Sequence, residues 1–294
     1  IARARIDLLP VGLKEILYQA SVLGRYIEIS LFQRITNLKG KILFDLLKKL
    51  QKHEFIEEVE EAAPQLQRYF AFTHSLIQEI AYNSLLFKTR RSLHTKIGSV
   101  IEEMYLSKID EKVEELAYHF KNSDDKEKAV FYLNKAGDKA QFLYAFKNAI
   151  NYYLDSIKIL ESTELEKEQL TQLSEIYNKL AFSQATLGKR KEAEINLNKA
   201  LKYCRKTKDK DNESLILMSM GNLYGDMGQW DKAIEYFQNC ISITDRISNL
   251  KRKASILNGI GLACLFKGDT STGYSYLKES INICKEIKTL DVYA

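Results

Sequence analysis

The sequence predicts a mainly α-helical protein in two parts, a small domain of three helices plus a β-hairpin followed by an α-solenoid of helix pairs. Three observations carry this expectation. Proline occurs only at Pro10 and Pro64, so the last 230 residues hold none of the residue that would interrupt a succession of helices. Glycine recurs every 40 residues in matching contexts, at Gly188, Gly228 and Gly268. Between residues 55 and 72 the apolar residues leave the three-and-four spacing of helices for short β-branched and aromatic runs.

Taken in chain order, Leu13, Ile16, Leu17, Ala20 and Leu23 form one face of a helix that starts near Val11, with Pro10 suiting its first turn. A second helix fits Ser30 to Thr36, and a third runs from Lys41 to Lys52 with Leu43, Leu46, Leu47 and Leu50 on one face; Asn37 and Gly40 punctuate the gap. Phe55 to Val59 and Arg68 to Phe72 then read as two strands about the loop Ala62-Ala63-Pro64. Three helices and a β-hairpin make a winged helix. Ser75 to Gln78 reads as a capping box opening a helix through Leu86, and Leu93, Ile97, Val100, Ile101 and Met104 mark the next.

The repeats begin beyond Val113. Seven residues before each turn glycine sits a small residue (Ala181, Gly221, Gly261), and five after it another (Ala193, Ala233, Gly273). Leu197, Phe237 and Leu277 follow as large knobs, and Ala200, Cys240 and Ser280 as small holes. This pattern resembles the tetratricopeptide repeat, whose usual period of about 34 residues implies helices lengthened here by most of a turn each. An earlier, irregular pair, Lys126 to Tyr144 and Phe146 to Glu161, keeps Gly137, Ala149 and Tyr153 in register 44 residues upstream. The expected division is a winged helix over 1–87, connecting helices over 88–125 and the repeat array over 126–294.

Composition sets limits on function. Of 294 residues, 45% are hydrophobic and 28% charged, with 44 Lys and Arg against 39 Asp and Glu. The net charge of +5 gives no strong field for drawing in nucleic acid, and no window is apolar over the 18 or more residues of a membrane span. Cys204, Cys240, Cys264 and Cys284 include no Cys-x-x-Cys pair, so neither zinc nor a disulfide scaffold is indicated and reduced, cytoplasmic thiols are the default. The chain opens Ile1-Ala2-Arg3 without Met or a secretory leader, and is expected to be a piece of a longer protein.

Catalytic and metal machinery is not visible. Leu187-Gly188-Lys189 and Lys39-Gly40-Lys41 lack the leading glycine and hydroxyl of a phosphate loop, so no ATP site is expected in this chain. His53 and Glu54 lack the second histidine of a zinc-protease helix. Asp209, Asp211 and Glu213 imitate a calcium loop, yet Ser214 replaces its glycine and Met220 its bidentate Glu, which leaves helix capping. His53, His74, His94 and His119 have no nucleophile elbow beside them. In the winged helix Lys48, Lys49 and Lys52 offer a basic face, but Glu57, Glu58, Glu60 and Glu61 on the wing would oppose DNA phosphates.

The phrase from Phe72 through Thr73, His74, Ser75, Leu76 and Ile77 to Glu79, Ala81 and Tyr82 is preceded by Arg5-Ile6-Asp7 and Leu9-Pro10 and followed by Glu115-Leu116-Ala117 and His119. It resembles the region after the ATPase core in bacterial STAND-type signal-transduction ATPases, which are joined to nucleotide cyclases, protein kinases or transcription activators. The resemblance implies a non-catalytic regulatory region in which the winged helix packs on an upstream nucleotide-binding domain. ATP or ADP would sit on that domain, and partner binding would release it from its ADP state. It also implies that His74 could reach the ADP phosphates.

Helix-lined grooves of repeat arrays bind extended peptides. Asn134, Asn178 and Asn258 share the position ten before the turn, and Asn222 lies one helical turn later in its own repeat. Amides both donate and accept, so a row of them would hold a peptide backbone whatever its side chains. Phe131, Phe142, Phe182 and Phe266 are interspersed with them. A protein or peptide partner is therefore expected in the groove around Asn134, Asn178, Asn222, Asn258 and Phe182. Two alternatives stay open, a DNA-binding transcription regulator and a small-metabolite sensor using the same groove.

Overall fold

The computed structural model describes residues 2–59, 69–247 and 249–292. Glu60, Glu61, the Ala62-Ala63-Pro64 loop and Arg68, all singled out above, lie outside those residues. The chain folds as two compact units, residues 1–135 and 136–294.

The first unit opens with α1 (Ala2–Asp7) and α2 (Val11–Leu23), followed by β1 (Tyr26–Glu28), α3 (Ile29–Thr36) and α4 (Gly40–Lys52). The leucine face expected of α2 is the buried one, with Leu13, Ile16, Leu17 and Ala20 in the core beside Leu43, Leu47 and Leu50 of α4. Asn37 ends α3 in the left-handed conformation at φ 56°, which a short polar side chain tolerates. β2 (Ile56–Val59) and β3 (Tyr69–Phe72) pair antiparallel with Ile56 opposite Phe72 and Val59 opposite Tyr69. A third strand was not foreseen: β1 pairs with the other edge of β3, giving the order β1-β3-β2. Three residues are too few to show a period of two, whereas the central β3 announces itself by burying Phe70, Ala71 and Phe72.

The capping box at Ser75 does not form. His74, not Ser75, is the N-cap of α5 (Ser75–Ser84), with extended φ −139° and ψ 135°, and no side chain caps the helix. Thr73 explains the slip: its amide donates to the Phe55 carbonyl at 3.1 Å and its hydroxyl to the Glu54 carbonyl at 2.9 Å, carrying strand-like backbone onward so that Ser75 is already helical. A box needs its Ser one position earlier. On α4, Lys48 forms an ion pair with Glu58 of β2 and donates to Gln51 at 3.0 Å. One of the three cations considered for DNA is thereby neutralised within the fold.

α6 (Phe87–Met104), a 3-10 turn over Leu106–Glu111 and α7 (Val113–Lys121) follow, and α8 (Lys126–Phe142) runs on into the second unit. That unit continues with α9 (Phe146–Glu161), then three helix pairs: α10 (Lys167–Thr186) with α11 (Arg190–Thr207), α12 (Lys210–Asp226) with α13 (Trp230–Ile247), and α14 (Leu250–Lys267) with α15 (Thr270–Val292). The helices that open these pairs are 20, 17 and 18 residues long, as the 40-residue period requires. Gly188, Gly228 and Gly268 turn each pair with φ of 77°, 72° and 96°, the region closed to ordinary side chains.

Asp209 and Asn249 cap α12 and α14, accepting the amides of Asn212 and Arg252 at 3.0 Å. One polar bond crosses each pair at the same place: Ser174 donates to the Ala200 carbonyl at 2.9 Å, the Cys240 thiol to Ser214 at 2.9 Å, and Ser280 to Ala254 at 2.7 Å. The small row read as holes thus fixes the axial register of each helix pair. Its knobs fill the spaces opposite: the Phe237 ring lies against Gly221, and Leu277 against Gly261.

Candidate functional site

In the second unit α10, α12 and α14 pack directly on one another in addition to their own partners, and so form an inner layer. Two rows of side chains run across it. Asn178, Met218 and Asn258 occupy the first, one per helix, and Phe182, Asn222 and Leu262 the second, one turn nearer the turns. Amide and apolar groups alternate in both rows because Asn222 is displaced by a turn relative to the other asparagines. Asn222, Asn258 and Phe182 are exposed, while Asn178 is half-buried.

Asn178 is the unusual member. Its Oδ1 is buried and accepts no hydrogen bond. A sealed acceptor without a donor loses its hydration for nothing, at about 1–3 kcal/mol. Around it the polar groups are taken. Lys179 pairs with Asp138 at 2.8 Å, Asp138 accepts also from the Tyr153 hydroxyl at 2.8 Å, and the Gln141 amide donates to the Lys179 carbonyl at 2.8 Å and the Ser183 hydroxyl at 2.7 Å. Burial pushes the Glu175 carboxyl, one turn before Asn178, above the usual carboxylate range against the pull of Lys179. The Tyr153 hydroxyl is pushed up by burial and by its bond to Asp138.

Phe182 meets the ring of Phe146 edge-on at 6.2 Å, and Phe266 stacks on Trp230 at 4.9 Å. Asn134 belongs to the first unit, where α8 carries it half-buried, and its Oδ1 likewise has no donor. Sequence reasoning missed Asp138, Lys179 and Gln141, which no motif marks. His74 is exposed at the start of α5; its carbonyl accepts the Ile77 amide at 3.0 Å, and its ring makes no capping bond.

A second polar cluster centres on two buried histidines. In the first unit Tyr82 Oη lies 3.0 Å from His94 Nε2, and His94 Nδ1 lies 3.0 Å from His119 Nδ1. With the tyrosine donating, His94 carries its proton on Nδ1 and passes a hydrogen bond to His119, an arrangement open to two neutral imidazoles. Burial lowers His94 to about 4, helped by Arg90, and His119 to about 3, helped by His94. Among the described residues no group of three His, Cys, Asp or Glu is placed to hold a metal, and no helix is long and apolar enough to cross a membrane. Cys204, Cys240 and Cys264 are buried free thiols, each raised by burial.

Residues 172–246 and 212–286 match the tetratricopeptide repeat family. These segments are tetratricopeptide repeats. No curated protein matches the sequence. Among solved structures, the chain is similar to aspartyl phosphate phosphatase F from Bacillus subtilis, at TM-score 0.56 and 13% identity over 88% of this chain and 64% of that one. It is similar also to BtubC (BKLC) from P. vanneervenii, at TM-score 0.55 and 14% identity over 72% and 86%. At such identities the likeness is one of fold alone. A signal-transduction ATPase with a tetratricopeptide repeat sensor from Pyrococcus horikoshii aligns with 97% of this chain and 52% of its own, at 14% identity and a TM-score of 0.47.

Proposed function

We propose that the chain is a non-catalytic regulatory and protein-interaction region whose repeats hold an extended segment of a partner protein along α10, α12 and α14. The amide row on the inner layer carries this reading, with half-buried Asn178 beside the exposed Asn222 and Asn258, since side-chain amides can both donate to and accept from a peptide backbone. Asn222 and Asn258 extend the amide row, and the exposed Phe182 offers an apolar stop beside it. The wider setting rests on the sequence resemblance. Residues 1–87, with the small three-stranded sheet, are read as a winged helix that packs on an upstream ATPase domain; that domain holds ATP or ADP in the cytoplasm. His74, exposed and uncommitted at the head of α5, would sense the nucleotide state there.

The test is a pair of variants. With peptides selected from a random displayed library against the full chain, Asn178→Ala combined with Asn222→Ala is expected to weaken binding by roughly one to two decades, with helix content unchanged. Full affinity in the double variant, or loss of affinity together with helix content, would sink the groove reading. A metabolite sensor would lose most affinity on Phe182→Ala instead. Binding of DNA is disfavoured by the Lys48–Glu58 pair, and salt-dependent retention of the chain on duplex DNA would restore it.

A further inference from the structure

The turn between α8 and α9 breaks the rule of the other three. Where they place Gly188, Gly228 and Gly268 in the left-handed conformation, this turn places Tyr144, at φ 58°. A bulky residue is disfavoured there, so the fold gains nothing from having an aromatic at this position. Around it the surface is strongly apolar: Phe142 is 82% exposed, Tyr144 83%, Leu143 60% and Phe182 57%. Tyr144 meets Phe146 edge-on at 6.1 Å, and Phe146 meets Phe182 at 6.2 Å, forming a continuous aromatic track from the turn to α10. Scattered exposed apolar residues are ordinary; a contiguous set marks a contact surface.

Charge says what covers it. Lys147 opens α9 beside the track, and Lys189, Arg190 and Lys191 stand at the next turn along the same edge, all exposed and without an ion pair among the described residues. Further along the charge is balanced: Asp226, Asp231 and Lys232 flank the third turn, and at the fourth Lys267 pairs with Asp231 beside Asp269. The positive field is therefore confined to two neighbouring turns, too short a stretch for a phosphate polymer and wide enough for one short segment of chain. We propose that this edge binds an acidic peptide segment bearing large apolar side chains. Its carboxylates would meet Lys147, Lys189, Arg190 and Lys191, and its apolar side chains would cover Phe142, Tyr144 and Phe182. This surface meets the groove at Phe182, which shares a row with Asn222, and its remaining residues lie along the turns.

The experiment uses the full chain and a fluorescein-labelled peptide that alternates Glu with Leu and Phe, followed by fluorescence anisotropy. Wild type is expected to bind it, and to bind neither the same peptide with Lys in place of Glu nor a single-stranded oligonucleotide of equal length. Tyr144→Gly should weaken binding by about tenfold or more while the thermal midpoint stays or rises, because glycine suits the left-handed turn. Lys189→Glu combined with Arg190→Glu should weaken it comparably and flatten its dependence on salt. No binding by wild type, undiminished binding by Tyr144→Gly, or equal binding of the Lys peptide or the oligonucleotide overturns the proposal. Loss of this peptide in Asn178→Ala with Asn222→Ala, but not in Tyr144→Gly, would overturn it as well and leave the groove reading standing.

Discussion

Acidification from pH 7 to pH 5 is expected to destabilise the first unit by about 2–4 kcal/mol through His94 and His119. Both are held neutral in the folded protein, at about 4 and about 3, against an ordinary value of 6.5. Between those values the unfolded chain takes up protons that the folded chain refuses. The stabilisation is therefore complete above the ordinary value and is lost as the pH falls toward the folded ones. Tyr82 on α5, Arg90 on α6 and Tyr118 on α7 face the pair, and none supplies a negative charge at neutral pH to offset a proton. The single tryptophan, Trp230, lies in the second unit, so the measurement is hydrogen exchange of α6 and α7 amides, corrected for intrinsic rates. His94→Gln with His119→Asn should lower protection at pH 7 yet remove most of its fall on acidification. An equal fall in the variant would show that the pair does not resist protonation.

Gly221→Leu is expected to cost the second unit about 1–3 kcal/mol, at the upper end of the range for overpacking. A Cβ at that position would lie 2.5 Å from Cε1 and 2.6 Å from Cδ1 of Phe237. The ring cannot retreat, because its far side meets Gly259, where a Cβ would lie 2.6 Å from Cζ. Gly225→Ala on the same helix is the control: the nearest atom there, Trp230 Cζ3, is 3.9 Å away, and alanine is the better helix former by about 1 kcal/mol. Denaturant unfolding followed by Trp230 fluorescence should show the two variants moving the midpoint in opposite directions. A Gly221→Leu midpoint equal to wild type would mean that α12 and α13 are not in the register described.

What could be read in the sequence was what repeats. Gly188, Gly228 and Gly268 each mark a turn, and Ala181, Gly221 and Gly261 each mark a close approach, so three copies of the same constraint made the helix pairs and their 40-residue period legible. Single constraints were not. Tyr144 takes the turn position of the irregular pair, but one aromatic residue in place of glycine reads as a break in the pattern. Its left-handed backbone becomes visible only in three dimensions. The donorless oxygen of Asn178 depends on how Lys179, Asp138 and Gln141 are already committed, and no spacing encodes that. His94 and His119 are 25 residues apart and look unrelated until α6 and α7 pack together. The capping box at Ser75 failed for a comparable reason, since Thr73 hydrogen bonds to a strand segment about 18 residues earlier.

Phe237 also has a mechanical consequence. Its ring sits between the bare backbones of α12 at Gly221 and α14 at Gly259, reaching from α13 into the seam of two successive repeats. Because neither glycine has a side chain, the ring fills the gap between the two helices and sets their spacing, while Arg252 of α14 is tied to Asp211 and Ser214 of α12 and Lys267 of α14 to Asp231 of α13. The polar bonds from Cys240 to Ser214 and from Ser280 to Ala254 stop the helices of each pair from sliding. The seam between these two repeats is thus a wedge held by clamps, an apolar ring inside and ion pairs at its margins. The distance between Asn222 and Asn258, each beside one of the two glycines on the inner face, is therefore set by the thickness of a single phenyl ring.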